Sequence, residues 1–183
     1  LEGVYTIGQR VAMAGAGIAN HAEFNAVPKN LLAPVPNDVT DEAASFATLG
    51  AVAMHGVRNL NATLGDVVAV VGCGLIGQLT CQLLTLSGVR VIALDYDPAR
   101  LDLAQSLGAE VARSLDDERL SIEIDEITAG RGCDGIIIAA ATDSNEPFLT
   151  AGALARDRAR IVMVGLTGTA FPYADFMKKE LNI

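Results

Sequence analysis

Three glycines and one carboxylate are spaced in a way that indicates a ligand-binding site. The motif Gly72-Cys73-Gly74-Leu75-Ile76-Gly77 follows directly on the apolar run Val67-Val68-Ala69-Val70-Val71, and Asp95 ends the next apolar run. Apolar residues recur at helical spacing from Leu75 to Leu86. The pattern predicts a buried strand, a tight glycine turn, a helix and a second strand.

A turn of this kind is typical of dinucleotide-binding sites. Gly72 suits the backbone angles of the turn, Gly74 lets the main chain approach a pyrophosphate, and Gly77 lets the helix pack closely on the strand. Free N–H groups at the start of the helix would face the phosphates. Asp95 is placed to accept both hydroxyls of an adenosine ribose and would repel a 2′-phosphate, so the sequence favours NAD(H) over NADP(H).

The residues alone leave other interpretations of this motif open. The glycines could form only a tight turn in an α/β domain, with Asp95 capping the next helix. S-adenosylmethionine also binds glycine-rich turns followed by an acid, although the full spacing of three glycines argues against it. A P-loop is excluded because no Gly-Lys-Ser/Thr follows the glycines.

Strand and helix signals alternate from residue 67 onward. They predict an α/β fold, a doubly wound parallel Rossmann sheet whose ligand lies at the carboxyl ends of the strands. After the second strand the signals are a helix opened by Asp97-Pro98, a third strand at 110–112, an acidic helix at 116–129, a fourth strand at 135–141, a helix from Glu146, a fifth strand at 160–164 and the start of another strand at 180–183.

Residues 1–39 have a different pattern. Segments 8–14 and 21–28 predict short strands, and a proline-rich connector follows at 32–36. So little chain cannot bury a core alone. We therefore predict that residues 1–39 are only part of one domain and that residues 40–183 form a second domain.

A helix is predicted to open the second domain. Thr40 is a good N-cap, and Asp41 and Glu42 match the positive end of the helix dipole. The apolar pattern runs from there towards Leu60, with a break expected at Gly50.

Composition narrows the function classes. The chain has 183 residues, of which 51% are hydrophobic, so it can bury one sizeable core. Its formal net charge of −9 opposes binding to nucleic acid or to an anionic membrane surface. No apolar run is long enough to cross a bilayer. The start Leu1-Glu2-Gly3 is interpreted as an interior cut of a longer protein.

The three cysteines, Cys73, Cys81 and Cys133, show no Cys-x-x-Cys spacing. Buried free thiols in a reducing compartment explain them, which predicts a cytoplasmic protein. Cys73, inside the glycine turn, is the one expected to be exposed, and a small loop residue is its favoured role.

Three phrases carry a resemblance to the coenzyme half of the medium-chain dehydrogenase/reductase superfamily, the zinc-type alcohol dehydrogenases. They are GQRVAMAGAGIANHAEFNAVP, LGDVVAVVGCGLIGQL and ALDYDPARLDLAQSLGAE. The first looks like the end of that family's GroES-like β-barrel, so the resemblance implies that residues 1–39 are a remnant of a substrate domain. FATLGAVAMHGVRN, TAGRGCDGIIIAAATDSNEP and FMKKEL look more closely like bacterial two-part oxidoreductases.

The resemblance also implies a coenzyme site. In it, Gly72 to Gly77 hold the pyrophosphate, while Asp95, Tyr96 and Arg100 lie beside the adenosine ribose. A surface partnership of Arg100 with Asp97 is an equal alternative. The loops after the fourth and fifth strands would line the nicotinamide side: Ala140, Ala141 and Thr142, and Val164, Gly165 and Leu166.

The chain departs from the family at the metal positions. The family's zinc-ligating Cys and its Gly-His-Glu motif would lie upstream, and its four-cysteine structural loop is missing. The third ligand position falls at Ala47-Thr48, and neither residue is a good zinc ligand. His21 and His55 are each more typical of satisfied polar residues. Neither zinc nor a catalytic residue is therefore expected in this chain.

The sequence thus predicts the NAD(H)-binding domain of an oxidoreductase. Such an enzyme moves a hydride between nicotinamide and a small alcohol or carbonyl substrate, sugar-derived if the two-part likeness holds. As a fragment of a medium-chain NAD-dependent dehydrogenase, the isolated chain is expected to be inactive. The alternative is a non-catalytic nucleotide-sensing Rossmann module, which would have no use for the segment from Gly8 to Pro28. A homodimer stays open, because the strand begun at residue 180 would leave an exposed edge.

Overall fold

The structure, a computed structural model, describes residues 5–170 and 172–183. Contacts between Cα atoms divide the chain into two compact units, residues 1–51 and 52–183. The domain boundary after residue 39 stays a prediction, as does the assignment of the first segment to a barrel.

A small antiparallel ladder lies in the first unit. Strand β1 (Val11–Met13) pairs with β2 (Leu32–Pro34), and Val11 lies opposite Pro34. The proline-rich segment predicted as a connector thus supplies a strand. Among the described residues, β1 and β2 pair only with each other, so the outer edge of β2 does not need the missing proline N–H.

The strand predicted over residues 21–28 is wrong, since this segment is irregular. The side chain of Asn25 explains the difference. Its Oδ1 accepts the N–H of Asn20 at 2.9 Å, and its Nδ2 donates to the carbonyls of Asn20 and Ala22 at 3.1 and 3.3 Å. These local bonds close a turn where a ladder would otherwise form.

Two helices follow the ladder. Helix α1 (Asp41–Ser45) begins after Thr40, whose hydroxyl accepts a backbone N–H of the first turn at 3.2 Å, as predicted. The helix is interrupted at Phe46, and α2 spans Ala47–Leu60. The break expected at Gly50 is therefore misplaced: the Gly50 N–H donates to the Phe46 carbonyl at 2.8 Å, and a glycine inside a helix weakens it without ending it.

Five parallel strands form the main sheet, in the order β5-β4-β3-β6-β7. The strands are β3 (Val67–Val71), β4 (Arg90–Asp95), β5 (Val111–Ser114), β6 (Cys133–Ile138) and β7 (Ala155–Met163). The helices between and after them are α3 (Leu75–Leu86), α4 (Pro98–Ser106), α5 (Leu120–Thr128), α6 (Glu146–Leu154) and α7 (Tyr173–Lys178). The predicted doubly wound parallel sheet is confirmed.

Helices cover both faces of this sheet. All five residues of β3 are buried, which is why its sequence is an unbroken apolar run. Val67, Ala69 and Val71 pack with buried side chains of α5, α6 and α7. Val68 and Val70 face the opposite way, towards α3 and α4.

The register brings three strand ends together. Val71, the last residue of β3, lies opposite Leu94 of β4 and Ile138 of β6. Because β4 and β6 flank β3 on opposite sides, the strand order reverses here, and the carboxyl ends form a crevice. The segments that follow these three strands therefore meet at one edge of the sheet.

The largest boundary difference concerns β7. This strand begins at Ala155 rather than at residue 160, and the strand predicted at 180–183 is reduced to a single parallel bridge between Arg160 and Asn182. Glu180 has φ of 51°, a left-handed conformation that interrupts extended chain. Within the described ranges, no helix combines the length and the apolar character that crossing a membrane would require.

Asp134 generates a prediction about the stability of the sheet. Its Oδ2 accepts the N–H of Val67 at 2.8 Å, and its Oδ1 accepts from Nε of Arg156 at 2.7 Å, so it joins the starts of β3, β6 and β7. Asp134→Ala leaves a partly buried N–H without its acceptor and should lower the free energy of unfolding by about 1–3 kcal/mol.

Urea unfolding followed by circular dichroism measures this loss. The matched control is Asp102→Ala, at an exposed position of α4, which should change stability by less than about 0.5 kcal/mol. Equal stability of the two variants would contradict the role given to Asp134.

Candidate functional site

A cleft of about 540 Å³ opens where the carboxyl ends of β3, β4 and β6 meet. It lies where the topology places a ligand, and most of the residues predicted for the coenzyme line it. These are Gly72, Gly74, Leu75, Ile76, Asp95, Tyr96, Arg100, Ala140, Ala141 and Thr142.

The glycine turn is held by close backbone packing at two of its three glycines. Gly72 has φ of 94°, and a Cβ there would lie 2.6 Å from the backbone N of Ala140. A Cβ on Gly77 would overlap the carbonyl oxygen of Gly72. Gly74 is different, because among the described residues, its chain neighbours aside, no heavy atom lies within 4 Å of the place where its Cβ would stand. The turn is therefore closed towards the protein and open towards the cleft at Gly74.

Helix α3 points its amino end at the same space. Gly74 is its N-cap and offers no side-chain acceptor to the first turn. Within residues 5–170 and 172–183, the backbone N–H groups of Leu75 and Ile76 have no hydrogen-bond acceptor. Since both residues line the cleft, two free donors and the positive end of a helix dipole meet there. This arrangement attracts an anion.

Asp95 is buried beside the turn, with 8% of its surface exposed. Its Oδ2 accepts the N–H of Cys73 at 2.7 Å, and its Oδ1 accepts those of Tyr96 and Asp97 at 2.8 and 3.0 Å. A carboxylate has about four acceptor directions, so about one is left. Asp95 thus anchors the turn, and accepting both hydroxyls of a ribose would require one of these N–H groups to give way.

Arg100 stands beside the remaining acceptor direction. Its Nη1 lies 3.6 Å from Oδ2 of Asp95, and its Nε lies 3.4 Å from Oδ2 of Asp97. Arg100 thus partners Asp97, as one of the two alternatives predicted, and lines the cleft beside Asp95, while its place beside a ribose stays a prediction.

Sequence reasoning missed several residues of the cleft. Glu146, in the first turn of α6, is the most important because it is charged and interacts with Tyr96 across the cleft. Partial desolvation of the phenol, followed by the nearby Glu146 carboxylate, raises the pKa of Tyr96 to about 12. The other missed residues are Val71, Leu115, Ala139, Ser144, Pro147 and Thr150.

The expected exposure of Cys73 is wrong. Its side chain is fully buried and points its Sγ at the carbonyl of Leu94, 3.6 Å away. The turn faces the cleft at Gly74 and turns Cys73 inward, where its N–H serves Asp95. All three cysteines are free and buried.

The loop after β7 lies behind the cleft wall and does not line the cleft. The N–H of Gly165 donates to the carbonyl of Ile138, and Leu166 accepts the N–H of Thr142, both at 2.9 Å. A Cβ on Gly165 would overlap the carbonyl of Ala140. Val164, Gly165 and Leu166 thus support the loop at 139–142, and a direct contact with nicotinamide stays a prediction.

The described residues do not fit a zinc site. None of their His, Cys, Asp and Glu side chains form a group of three or more that could hold a metal ion. His55 shares a hydrogen bond of 2.9 Å with Asn59, one turn further along α2.

Comparisons with known proteins agree with this geometry. The profile of the zinc-binding dehydrogenase family matches residues 76–183. The probable D-xylulose reductase A of Emericella nidulans is 32% identical over 171 residues, which are 88% of this chain and 46% of that protein. The match covers 29–46% of the length of the curated relatives and 45–58% of the solved structures.

Two solved structures share the fold. A mycobacterial protein complexed with NADPH has a TM-score of 0.82 at 27% identity, over 98% of this chain and 56% of that one. An alcohol dehydrogenase of E. coli CFT073 complexed with NADH has a TM-score of 0.76 at 29% identity, over 86% and 47%. The chain belongs to the zinc-binding dehydrogenase family and covers the coenzyme-binding region of a medium-chain dehydrogenase/reductase, so the resemblance seen in the sequence is confirmed. The closer likeness to two-part oxidoreductases stays a prediction.

The glycine turn generates a prediction that separates folding from binding. Gly74→Val places a branched side chain over open space, so stability should change by less than about 1 kcal/mol while NADH binding is lost. Gly77→Ala forces an overlap with the Gly72 carbonyl and should cost about 1–3 kcal/mol of stability or more.

Urea unfolding and calorimetric titration with NADH measure both quantities on both variants. A Gly74→Val protein that binds NADH as the wild type does would show that this turn serves only the fold.

Proposed function

We propose that this member of the zinc-binding dehydrogenase family binds NAD(H) in the cleft and forms the coenzyme half of an oxidoreductase acting on an alcohol or its carbonyl counterpart. The observation that carries the proposal is the pair of free N–H groups at Leu75 and Ile76, which face the cleft beside the open backbone of Gly74. A neutral ligand would leave these N–H groups and the positive end of the helix dipole without an anion to bind. The pyrophosphate of a dinucleotide would bind there, at the end of a strand–turn–helix unit.

The residues present fit a dinucleotide along the length of the cleft. The N–H groups of Leu75 and Ile76 would bind the pyrophosphate, and Asp95 would accept from the adenosine ribose, with Tyr96 and Arg100 beside it. The loop at 140–142 would hold the nicotinamide side. When bound, the nicotinamide supplies the hydride chemistry, and the chain's own residues orient it and exclude water.

The charge around the ribose position supports NAD(H) over NADP(H). Asp95 and Glu146 both line the cleft, and the charge of Asp116 also reaches Tyr96. Arg100, the cation that lines the same cleft, already lies beside Asp95 and Asp97. A 2′-phosphate would therefore meet carboxylates without a free cation. Solved relatives include one complex with NADPH and one with NADH, so membership of the family leaves this choice open.

The whole protein's substrate, assembly and compartment belong to the same proposal. Relatives named as polyol and alcohol enzymes support a small alcohol, and a sugar-derived one fits the reductase of Emericella nidulans. Three free, buried thiols support a reducing compartment such as the cytoplasm. A homodimer stays a prediction that light scattering on the full protein would test.

Coenzyme choice is the direct test of the proposal. NADH should bind more tightly than NADPH by about 1–3 kcal/mol, because the 2′-phosphate is repelled by carboxylates and the Arg100 guanidinium already lies beside Asp95 and Asp97. Asp95→Ala should lose much of this preference, whereas Asp102→Ala, exposed on α4, should keep it. Calorimetric titrations at one fixed salt concentration give the affinities, and equal binding of the two coenzymes by the wild type would remove the role given to Asp95.

Zinc content and turnover test the expectation that the isolated chain holds no zinc and is inactive. The purified chain of 183 residues should bind NADH yet contain no stoichiometric zinc and oxidise no simple alcohol, sugar or threonine, because no three-ligand group exists within its described ranges. Elemental analysis and an NADH absorbance assay measure this, and the NADH titration confirms that the same sample is folded. One equivalent of zinc per chain, held by His21 or His55 with a cysteine, would contradict the expectation.

A further inference from the structure

Gln78 is a buried amide behind the glycine turn, with 7% of its surface exposed. Its Nε2 donates to the carbonyl of Cys73 at 3.1 Å and to the carbonyl of Arg100 at 2.7 Å. Cys73 belongs to the glycine turn, and Arg100 lies in the first turn of α4. One side chain therefore joins the two segments that would hold the pyrophosphate and the ribose.

Asp95 joins the same two residues from the other side. Its Oδ2 accepts the N–H of Cys73 at 2.7 Å and lies 3.6 Å from Nη1 of Arg100. Cys73, Gln78, Arg100 and Asp95 thus form a closed ring of polar contacts. In such a ring, the position of the turn and the position of the ribose carboxylate depend on each other.

The other end of the Gln78 amide indicates that this bridge is not there for stability alone. Within the described ranges, its Oε1 is buried without a hydrogen-bond partner. Burying an unpaired amide oxygen costs free energy that an apolar side chain of similar length would avoid. Both groups that Gln78 contacts are carbonyls, so a side chain needs two N–H donors to bridge them, and the amide supplies these.

We propose that Gln78 is a positioning residue for coenzyme binding, and the proposal rests on the function proposed above. Its amide fixes the glycine turn against α4, so that the free N–H groups of α3 and the carboxylate of Asp95 meet the two halves of one coenzyme at the same time. Gln78 does not line the cleft. It acts through Cys73 and Arg100.

The test compares Gln78→Met, which keeps the length of the side chain and removes its donors, with Gln82→Met. Gln82 lies one turn further along α3, is half-buried and donates only to the backbone carbonyl of Gln78 at 3.2 Å. Calorimetry measures the binding of NADH and of adenosine. Gln78→Met should weaken NADH about tenfold and adenosine by less than about twofold, because adenosine has the ribose but lacks the phosphates that the glycine turn would bind. Gln82→Met should change neither.

A double variant adds a readout that a general loss of structure would not produce. Asp95→Ala and Gln78→Met act on the same ring, so the combined variant should weaken NADH binding less than the product of the two single effects. Independent, multiplying effects would overturn the proposal, and so would equal losses of NADH and adenosine affinity in Gln78→Met. If Gln78→Met does not fold, Gln78→Asn, whose shorter amide cannot span both carbonyls, takes its place.

Hydrogen exchange of the coenzyme-free chain separates this proposal from the proposed function. The segments 72–78 and 97–104 should exchange faster in Gln78→Met and at the wild-type rate in Gln82→Met. Unchanged exchange would overturn the bridge itself. If both segments exchange more slowly in the wild type than in Gln78→Met, but the wild type binds no NADH, the bridge exists and the proposed function is refuted. The role of Gln78 in binding is then refuted with it.

Discussion

The approach of Gly77 to the carbonyl of Gly72 is the contact on which the site depends. No side chain fits between them, so α3 sits directly against the turn that ends β3. Strand β3 is buried on both faces and cannot shift to make room. The first N–H groups of α3 are therefore held at the cleft. With a longer side chain at position 77, the helix would move away from the turn, and its free donors would leave the space that a pyrophosphate needs.

Asp95 shows why folding and binding are linked in this cleft. A buried carboxylate is costly unless it is hydrogen-bonded, and here three backbone N–H groups and a nearby guanidinium compensate for its burial. The same bonds fix the start of the turn and the start of α4. Removing Asp95 therefore disturbs the unliganded turn as well as the position proposed for the ribose, which is why its effect on selectivity is more informative than its effect on affinity.

The parts of the fold that local chemistry determines were predictable from the sequence. The run from Val67 to Gly77 combines a buried strand, a glycine turn and a helix, and Thr40 caps the helix it was expected to cap. The predictions that were wrong concern segments whose structure depends on contacts with other parts of the chain. The segment at 21–28 has strand composition, but Asn25 closes a turn, and β2 supplies the partner that β1 needs.

The site was predictable to the extent that it follows the motif. Glu146 was recognised as the start of a helix, but its place opposite Tyr96 depends on β6 lying beside β3, which is a property of strand order. The direction of the Cys73 side chain depends on the packing under the turn, so its burial was missed for the same reason. A motif indicates which backbone approaches a ligand, whereas the tertiary structure decides which side chains surround it.

The two loops at the β6 side of the cleft extend this distinction to the end proposed for the nicotinamide. Residues 140–142 line the cleft, and the loop after β7 lies behind them, bonded through the N–H of Gly165 and the carbonyl of Leu166. A Cβ on Gly165 would push against the carbonyl of Ala140. The loop after β7 therefore limits how far residues 140–142 can move away from the cleft. The same principle operates at both ends of the cleft: residues that a ligand would touch are placed by backbone contacts one layer behind them, at Gly165 as at Gly77.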